Sequence, residues 1–181
     1  MSETPSAMIP LGTQMPPFSL PDACGTEWSQ PHGNAGYLVV FMCNQCPFVI
    51  HVAHTLNAIA QRCKEVDVQM IGINSNDTSV YLDDAPEMMI ETAKEFGWEF
   101  PYLVDETQEV AKAFQATCTP DVFLYDKGKQ LYYRGQFDDS RPSVGSSDGS
   151  DLLAAINRLH SDKKPPDGQK PSIGCNIKWK Y

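Results

Sequence analysis

The feature that most constrains the fold is a change of period at Cys43. Tyr37-Leu-Val-Val-Phe-Met42 is an uninterrupted apolar, β-rich run bounded by Gly36 and Cys43, the pattern of a strand buried on both faces. Directly after it, Val49, Val52, Ala53, Leu56, Ile59, Ala60 and Cys63 recur every three or four residues, which predicts one apolar stripe on a helix of about four turns. A buried strand that feeds a helix calls for further strands beside it and for the helix to pack across the resulting sheet.

The rest of the chain continues that alternation. Short alternating stretches at Phe18 to Leu20 and Thr26 to Ser29 read as an N-terminal hairpin. Val66 to Ile73 is a second buried strand, stopped by Asn74-Ser75-Asn76-Asp77. Pro86 to Gly97 has Pro at its start and Gly at its end, the signature of a helix. Pro101 to Val104 (strand), Thr107 to Ala116 (helix) and Val122 to Tyr125 (strand) follow, and Lys127-Gly128 turns the chain back into Gln130 to Gln136 as an antiparallel hairpin. A loop over 138–150 leads to a helix at Asp151 to His160. These elements predict a single α/β domain over 1–181, its central mixed sheet sandwiched by helices. Residues 162–181 hold three prolines and two glycines and read as an irregular C-terminal tail extension.

The chain has 181 residues, 14 Lys and Arg against 23 Asp and Glu, and a formal charge of −9. That balance disfavours nucleic acid and anionic membranes as partners. The longest apolar run, Gly36 to Cys43, is far short of the roughly 20 residues of a spanning helix. The opening MSETPSAMIP lacks a basic segment and no apolar stretch follows it, so the sequence predicts a cytosolic protein with reduced thiols. The charge is uneven: nine acids and one base lie between Asp83 and Glu109, read as a solvated helical face, whereas Arg158 onward carries six bases and two acids.

A domain of this length buries roughly two-thirds of its unfolded surface and needs no disulfides, so six cysteines are an excess to be explained. Cys43-Asn44-Gln45-Cys46-Pro47 falls where the first core strand ends and its helix begins. Amides at a helix N-terminus favour an anion and lower a thiol pKa there. Position predicts Cys43 as the exposed attacking thiol and Cys46 as the shielded thiol that resolves the mixed disulfide. His51 and His54 lie too far along the same helix to join both cysteines on one zinc ion, and no metal or other cofactor is expected. Thr119-Pro120 lies immediately before a central strand, a junction where a cis peptide bond is tolerated.

C-x-x-C at the start of the first core helix and T-P before the hairpin resemble the thioredoxin superfamily. The N-terminal hairpin and the helix inserted before Pro101 resemble its peroxiredoxin-like branch, the alkyl hydroperoxide reductase and thiol-specific antioxidant group. Asn44-Gln45-Cys46-Pro47-Phe48-Val49, Phe100 to Gln108, Cys118-Thr-Pro-Asp121, Tyr133-Arg-Gly-Gln136 and Ser172 to Lys180 are similar to a redoxin subgroup of that branch. The resemblance implies a thioredoxin fold, Cys43 and Cys46 as catalytic thiols, and a substrate groove shaped by Thr119 and Pro120. It also implies Cys118 near the pair and Cys175 as a thiol able to reach back from the tail, both candidate accessory thiols. Two activities follow from it. One is a thiol-disulfide oxidoreductase with Cys43 attacking. The alternative is a thiol peroxidase with Cys46 peroxidatic, for Cys46-Pro47 matches the peroxidatic pattern while Cys43 stands where that pattern has Thr. The partners implied are a disulfide-bearing protein or a peroxide, and a thiol reductant. The family's arginine is absent near Pro120, which leaves Arg134 as its substitute or as an ion-pair partner of Asp138 or Asp139. The buried acid that thioredoxins carry on the preceding strand is absent as well. Cys63 reads as core, and Cys24 has no assigned role.

Overall fold

In the computed structural model, which describes residues 3–29 and 34–181, strand β4 (Gly36–Phe41) is buried at every position and forms the middle of the molecule. Before it come β1 (Glu3–Pro5) and the hairpin β2 (Ser19–Pro21) and β3 (Glu27–Ser29). After it come α1 (Pro47–Val52), α2 (Thr55–Glu65), β5 (Val68–Asn74), a 3₁₀ turn at Leu82–Asp84, α3 (Pro86–Phe96) and β6 (Tyr102–Val104). Then follow α4 (Glu109–Phe114), β7 (Cys118–Thr119), β8 (Asp121–Asp126), β9 (Leu131–Arg134), α5 (Ser150–His160) and β10 (Ile173–Asn176).

The main sheet has the order β6-β5-β4-β8-β9. β4 runs parallel to β5 and antiparallel to β8, and β9 returns antiparallel to β8. This is the mixed sheet the alternation predicts, and it is a thioredoxin fold. Successive β4 side chains serve opposite layers. Leu38, Val40 and Met42 pack with Leu56, Ile59, Leu152 and Ile156 of α2 and α5. Tyr37, Val39 and Phe41 face the other layer, where Phe41, Phe114 and Phe123 meet edge to face with centroids 5.4 to 5.9 Å apart. Such pairs add about 0.5–1.5 kcal/mol each beyond their burial.

Two expectations change here. The predicted four-turn helix breaks after Val52. Trp98 Nε1 donates to the Ala53 carbonyl at 2.8 Å, and the Asn57 amide bonds His54 O instead, so the turn tightens to three-residue spacing. The tail, irregular through residue 172, becomes a strand at Ile173–Asn176. β10 pairs antiparallel with β1 on one side and with β7 on the other, making a second, three-stranded sheet. Elsewhere the boundaries move by one or two residues, and Gly97 ends α3 in the left-handed conformation expected of a helix stop.

The acidic run is also less uniform than a solvated face. Asp84 and Asp105 are buried, while the other acids of that stretch are exposed. Asp105 caps α4, its Oδ2 accepting the Ala111 amide at 2.9 Å and the Ser75 hydroxyl at 2.7 Å. No described helix is long and apolar enough to cross a membrane.

Candidate active site

Strand register builds the site. Phe41 pairs with Asp121 in the antiparallel β4–β8 ladder. Extending that pairing by two residues in each chain brings Cys43 opposite Thr119, and Cys43 Sγ lies 3.4 Å from Thr119 Oγ1. The β10–β7 ladder places Cys175 opposite the same Thr119. Thr119 therefore stands between two thiols from distant parts of the chain. The third, Cys46, caps α1 with Pro47 as the first helical residue. Its sulfur lies 3.3 Å from the Thr119 carbonyl oxygen and 2.6 Å from Cys175 Sγ. The Thr119–Pro120 peptide is cis.

Gly174 lets the tail approach this closely. A Cβ there would overlap the Thr119 carbonyl carbon and oxygen and come 3.2 Å from Pro120 N, so only glycine fits. Ser172 adds a hydrogen bond from its hydroxyl to Pro120 O at 2.7 Å. The edge of β7 beside the cis proline, where the sequence resemblance sets a substrate groove, is thus occupied by the chain's own β10.

Neither cysteine of the motif is exposed, contrary to the expectation for Cys43. Cys43 is 3 % exposed and Cys46 5 %, because β7 and β10 close over the turn. They share a cavity of about 170 Å³ with Cys175, Tyr81, Asp84 and Lys178. The cavity's cation, Lys178, bonds its own neighbourhood at Asn176 O (2.9 Å) and stacks over the Tyr81 ring.

The thiols differ in where they hold charge. Cys46 is lowered to about 5, chiefly by a hydrogen bond from Cys43; burial opposes this, and Cys175, Thr119 and the Val49 amide reinforce it. Cys43 is pushed well above its usual range by that same bond, by burial and by the charge of Asp84. Burial, together with its bond to Cys46, pushes Cys175 up to about 12. The thiol shifts thus run in opposite directions, Cys46 downward and Cys43 and Cys175 upward.

The remaining sequence candidates separate cleanly. Cys118 is fully buried, its sulfur 3.7 Å from Pro120 O, and burial followed by the charge of Asp121 drives its thiol upward. Cys63 is core, pushed up to about 12 by burial, and Cys24 sits exposed in the hairpin turn. Arg134 takes neither expected role, as its guanidinium donates to Ile9 O at 2.7 Å and to Gln169 Oε1 at 2.8 Å. His51 contacts Ser140 Oγ at 2.7 Å, and His54 lies against the Phe96 ring.

Sequence reasoning missed the groups behind the motif. Asp84 accepts the Asn44 amide at 2.8 Å, and Tyr102 donates its hydroxyl to Asn44 Oδ1 at 2.9 Å. Asn74 and Asn76, which read only as turn formers, also donate to Asp84. The single signal for them was a pair of acids, Asp83 and Asp84, one residue short of Pro86, the start of α3.

Comparison with known proteins bears on the family and the fold. The AhpC/TSA family model matches residues 11–134. A crystal structure of an uncharacterized conserved protein from Geobacillus kaustophilus is 46% identical, with a TM-score of 0.96 over 99% of this chain and 97% of that one. The thioredoxin domain of a thiol-disulfide oxidoreductase from Bacteroides vulgatus shares the fold at 15% identity, with a TM-score of 0.65 over 83% and 98%. Peroxidoxin BcpB from Mycobacterium tuberculosis does so at 20%, with a TM-score of 0.61 over 85% and 98%. No curated protein sequence matches significantly.

Proposed function

The chain belongs to the AhpC/TSA family, and from that premise we propose that it is a thiol peroxidase in which Cys46 is the nucleophile and Cys175 the resolving thiol. The observation that carries the reading is the contact of Cys46, at the head of α1, with the Cys175 sulfur at 2.6 Å; a Cys46 thiol lowered to about 5 supports it. The occupied β7 edge supports a small oxidant over a protein disulfide, for an extended substrate strand would first have to displace β10.

The chemistry runs in two steps. The Cys46 thiolate attacks one oxygen of a hydroperoxide and the O–O bond breaks. The other oxygen takes a proton and leaves as an alcohol or water, and Cys46 becomes a sulfenic acid. The Cys175 thiol then attacks that sulfur. The S–S bond forms as the sulfenic oxygen departs as water with the thiol's proton. A covalent disulfide measures about 2.05 Å, so the two sulfurs need only a small approach. An external thiol reductant would restore both.

Single-turnover peroxide consumption by the reduced protein tests this. Cys46→Ser should abolish it, whereas Cys43→Ser and Cys175→Ser should each keep the first turnover, the latter without a Cys46–Cys175 disulfide in the mass spectrum. Loss of peroxide consumption in Cys43→Ser, together with unimpaired consumption in Cys46→Ser, would sink it. A second reading, dithiol-disulfide exchange through Cys43 and Cys46, is favoured by their C-x-x-C spacing at the head of α1 and by the contact each makes with Thr119 beside the cis proline. Disulfide reduction at wild-type rate by Cys175→Ser, without peroxide turnover in any form, would select it.

A further inference from the structure

We propose that Gln108 is the positioning residue of the resolving step: its carboxamide grips the tail just past β10 and so keeps the Cys175 sulfur against Cys46. The inference rests on the reading of Cys175 as the resolving thiol. Gln108 ends one of the two long stretches that carry the family resemblance, Phe100 to Gln108, and the tail residues it holds belong to the other, Ser172 to Lys180.

β10 is fixed along its length by β1 and β7 and at both ends by side chains. At its start the Ser172 amide donates to Ser6 Oγ at 2.9 Å, and the Ser6 amide donates to Ser172 O at 2.8 Å. Past its far end, Gln108 Nε2 donates to Lys178 O at 2.8 Å and to Ser75 O at 2.7 Å, while Gln108 Oε1 accepts the Lys180 amide at 2.9 Å. Two of these partners are carbonyls and the third is an N–H, so only one orientation of the carboxamide satisfies them all. One side chain thus engages alternate residues of the tail, as a neighbouring strand would. The Asp77 amide adds a second bond to Lys178 O at 2.9 Å, and Asn76 Oδ1 accepts the Lys178 amide at 2.9 Å.

The grip is itself rigid. Gln108 is 1 % exposed and sits at φ 66°, in the left-handed region, which a residue other than glycine keeps only where its surroundings fix it. Its amide donates to Asp105 O at 3.1 Å, and Asp105 is tied to the end of β5 by its own amide on Asn74 O at 2.9 Å and by the Ser75 hydroxyl at 2.7 Å. One turn along α4, Lys112 lies 5.9 Å over the ring of Trp179, the residue between the two that Gln108 holds. The tail is therefore anchored to the main sheet three residues beyond Cys175, about 10 Å of chain at strand spacing. Gln108 is not among the described residues that line the thiol cavity, so it acts on Cys46 only through where the tail holds Cys175.

The test is a competition in the reduced full-length protein. One equivalent of hydrogen peroxide is added with excess dimedone, whose carbanion attacks the sulfenic sulfur of Cys46 and displaces its oxygen as water, the same leaving group that Cys175 displaces. Mass spectrometry reads the ratio of dimedone-bound Cys46 to Cys46–Cys175 disulfide. With Cys46 5 % and Cys175 4 % exposed, dimedone enters only when β10 lifts, so the ratio scales with the open fraction. Wild type should give mostly disulfide. Gln108→Glu keeps the size of the side chain and the acceptor for Lys180 but loses both donors. It should raise the ratio by about fivefold, the effect of losing a buried hydrogen-bond donor, and amide exchange across residues 177–180 should accelerate with it. Should Gln108→Glu fail to fold, Lys180→Pro decides. It removes, at an exposed residue, the amide that Gln108 Oε1 accepts, and it should move the ratio the same way. A wild-type ratio in the folded variants would overturn the role of Gln108 while leaving Cys175 as the resolving thiol. Absence of a Cys46–Cys175 disulfide from the wild type would instead overturn the reading on which the inference rests.

Discussion

The sulfurs of Cys46 and Cys175 lie 2.6 Å apart although 129 residues separate them in the chain. Their contact depends on β10 filling the edge of β7, which sets Cys175 opposite Thr119.

The reactivity of Cys46 should follow its ionisation. Its thiol falls from 9.0 to about 5 in the fold. The rate of Cys46 alkylation should therefore rise through an inflection near pH 5 and stay level to pH 8. The sign for stability is that of any depressed acid: the contribution is present at high pH and is lost as pH falls through about 5. An inflection above pH 8 would contradict a lowered Cys46 thiol.

Gly174→Ala should push β10 off β7. The added methyl overlaps the Thr119 carbonyl, and strand pairing cannot absorb that. Amide exchange across residues 173–177 should accelerate by at least about tenfold, and the yield of Cys46–Cys175 disulfide after one equivalent of peroxide should drop in proportion. Unchanged exchange and unchanged yield would remove the tail from the mechanism.

Asp121 carries a pH-dependent liability. Its Oδ1 has no hydrogen-bond partner, and burial raises its carboxyl from 3.8 to about 6 despite the Thr117 amide at 2.9 Å. A raised acid stabilises the fold below its unfolded pKa and loses that contribution as pH climbs through the folded value. Asp121→Asn should gain on wild type between pH 4 and pH 8 by on the order of 2–3 kcal/mol, read from urea midpoints at the two pH values. Parallel midpoints would show the carboxyl to be solvated.

Asp138 anchors the loop before α5. It accepts the Gly149 amide at 2.7 Å, the Asp148 amide at 2.9 Å and the Ser147 hydroxyl at 2.8 Å, as well as the Ser140 amide and hydroxyl. Asp138→Ala leaves those donors without an acceptor and should cost about 2–4 kcal/mol in equilibrium unfolding. A cost below about 0.5 kcal/mol, the range of ordinary surface changes, would mean that water replaces the carboxylate.

What the sequence disclosed, and what it hid, follows from the range of the interactions involved. The Cys43–Cys46 turn was legible because strand and helix periods meet there, and Thr119-Pro120 because proline before a core strand has few other uses. The strand at β10 was hidden. Ile173-Gly-Cys-Asn176 has no alternating apolar pattern and lies among prolines and glycines; its extended form is imposed by β1 and β7 on either side. The surroundings of the motif were hidden for the same reason, since Asp84, which holds the Asn44 amide, and Cys175, which touches Cys46, reach it only through tertiary structure. The break at Ala53 depends on the indole of Trp98, forty-five residues away, and no local residue announces it.

The order of elements has a consequence for synthesis. β10 is the last strand of the chain, so a ribosome that has released everything through β9 has exposed Cys43, Cys46 and Thr119 without the segment that covers them. During that interval the nascent chain presents an open dithiol to the surrounding redox buffer. The site becomes a sheltered three-sulfur centre only once residues 172–178 have emerged and slid between β1 and β7.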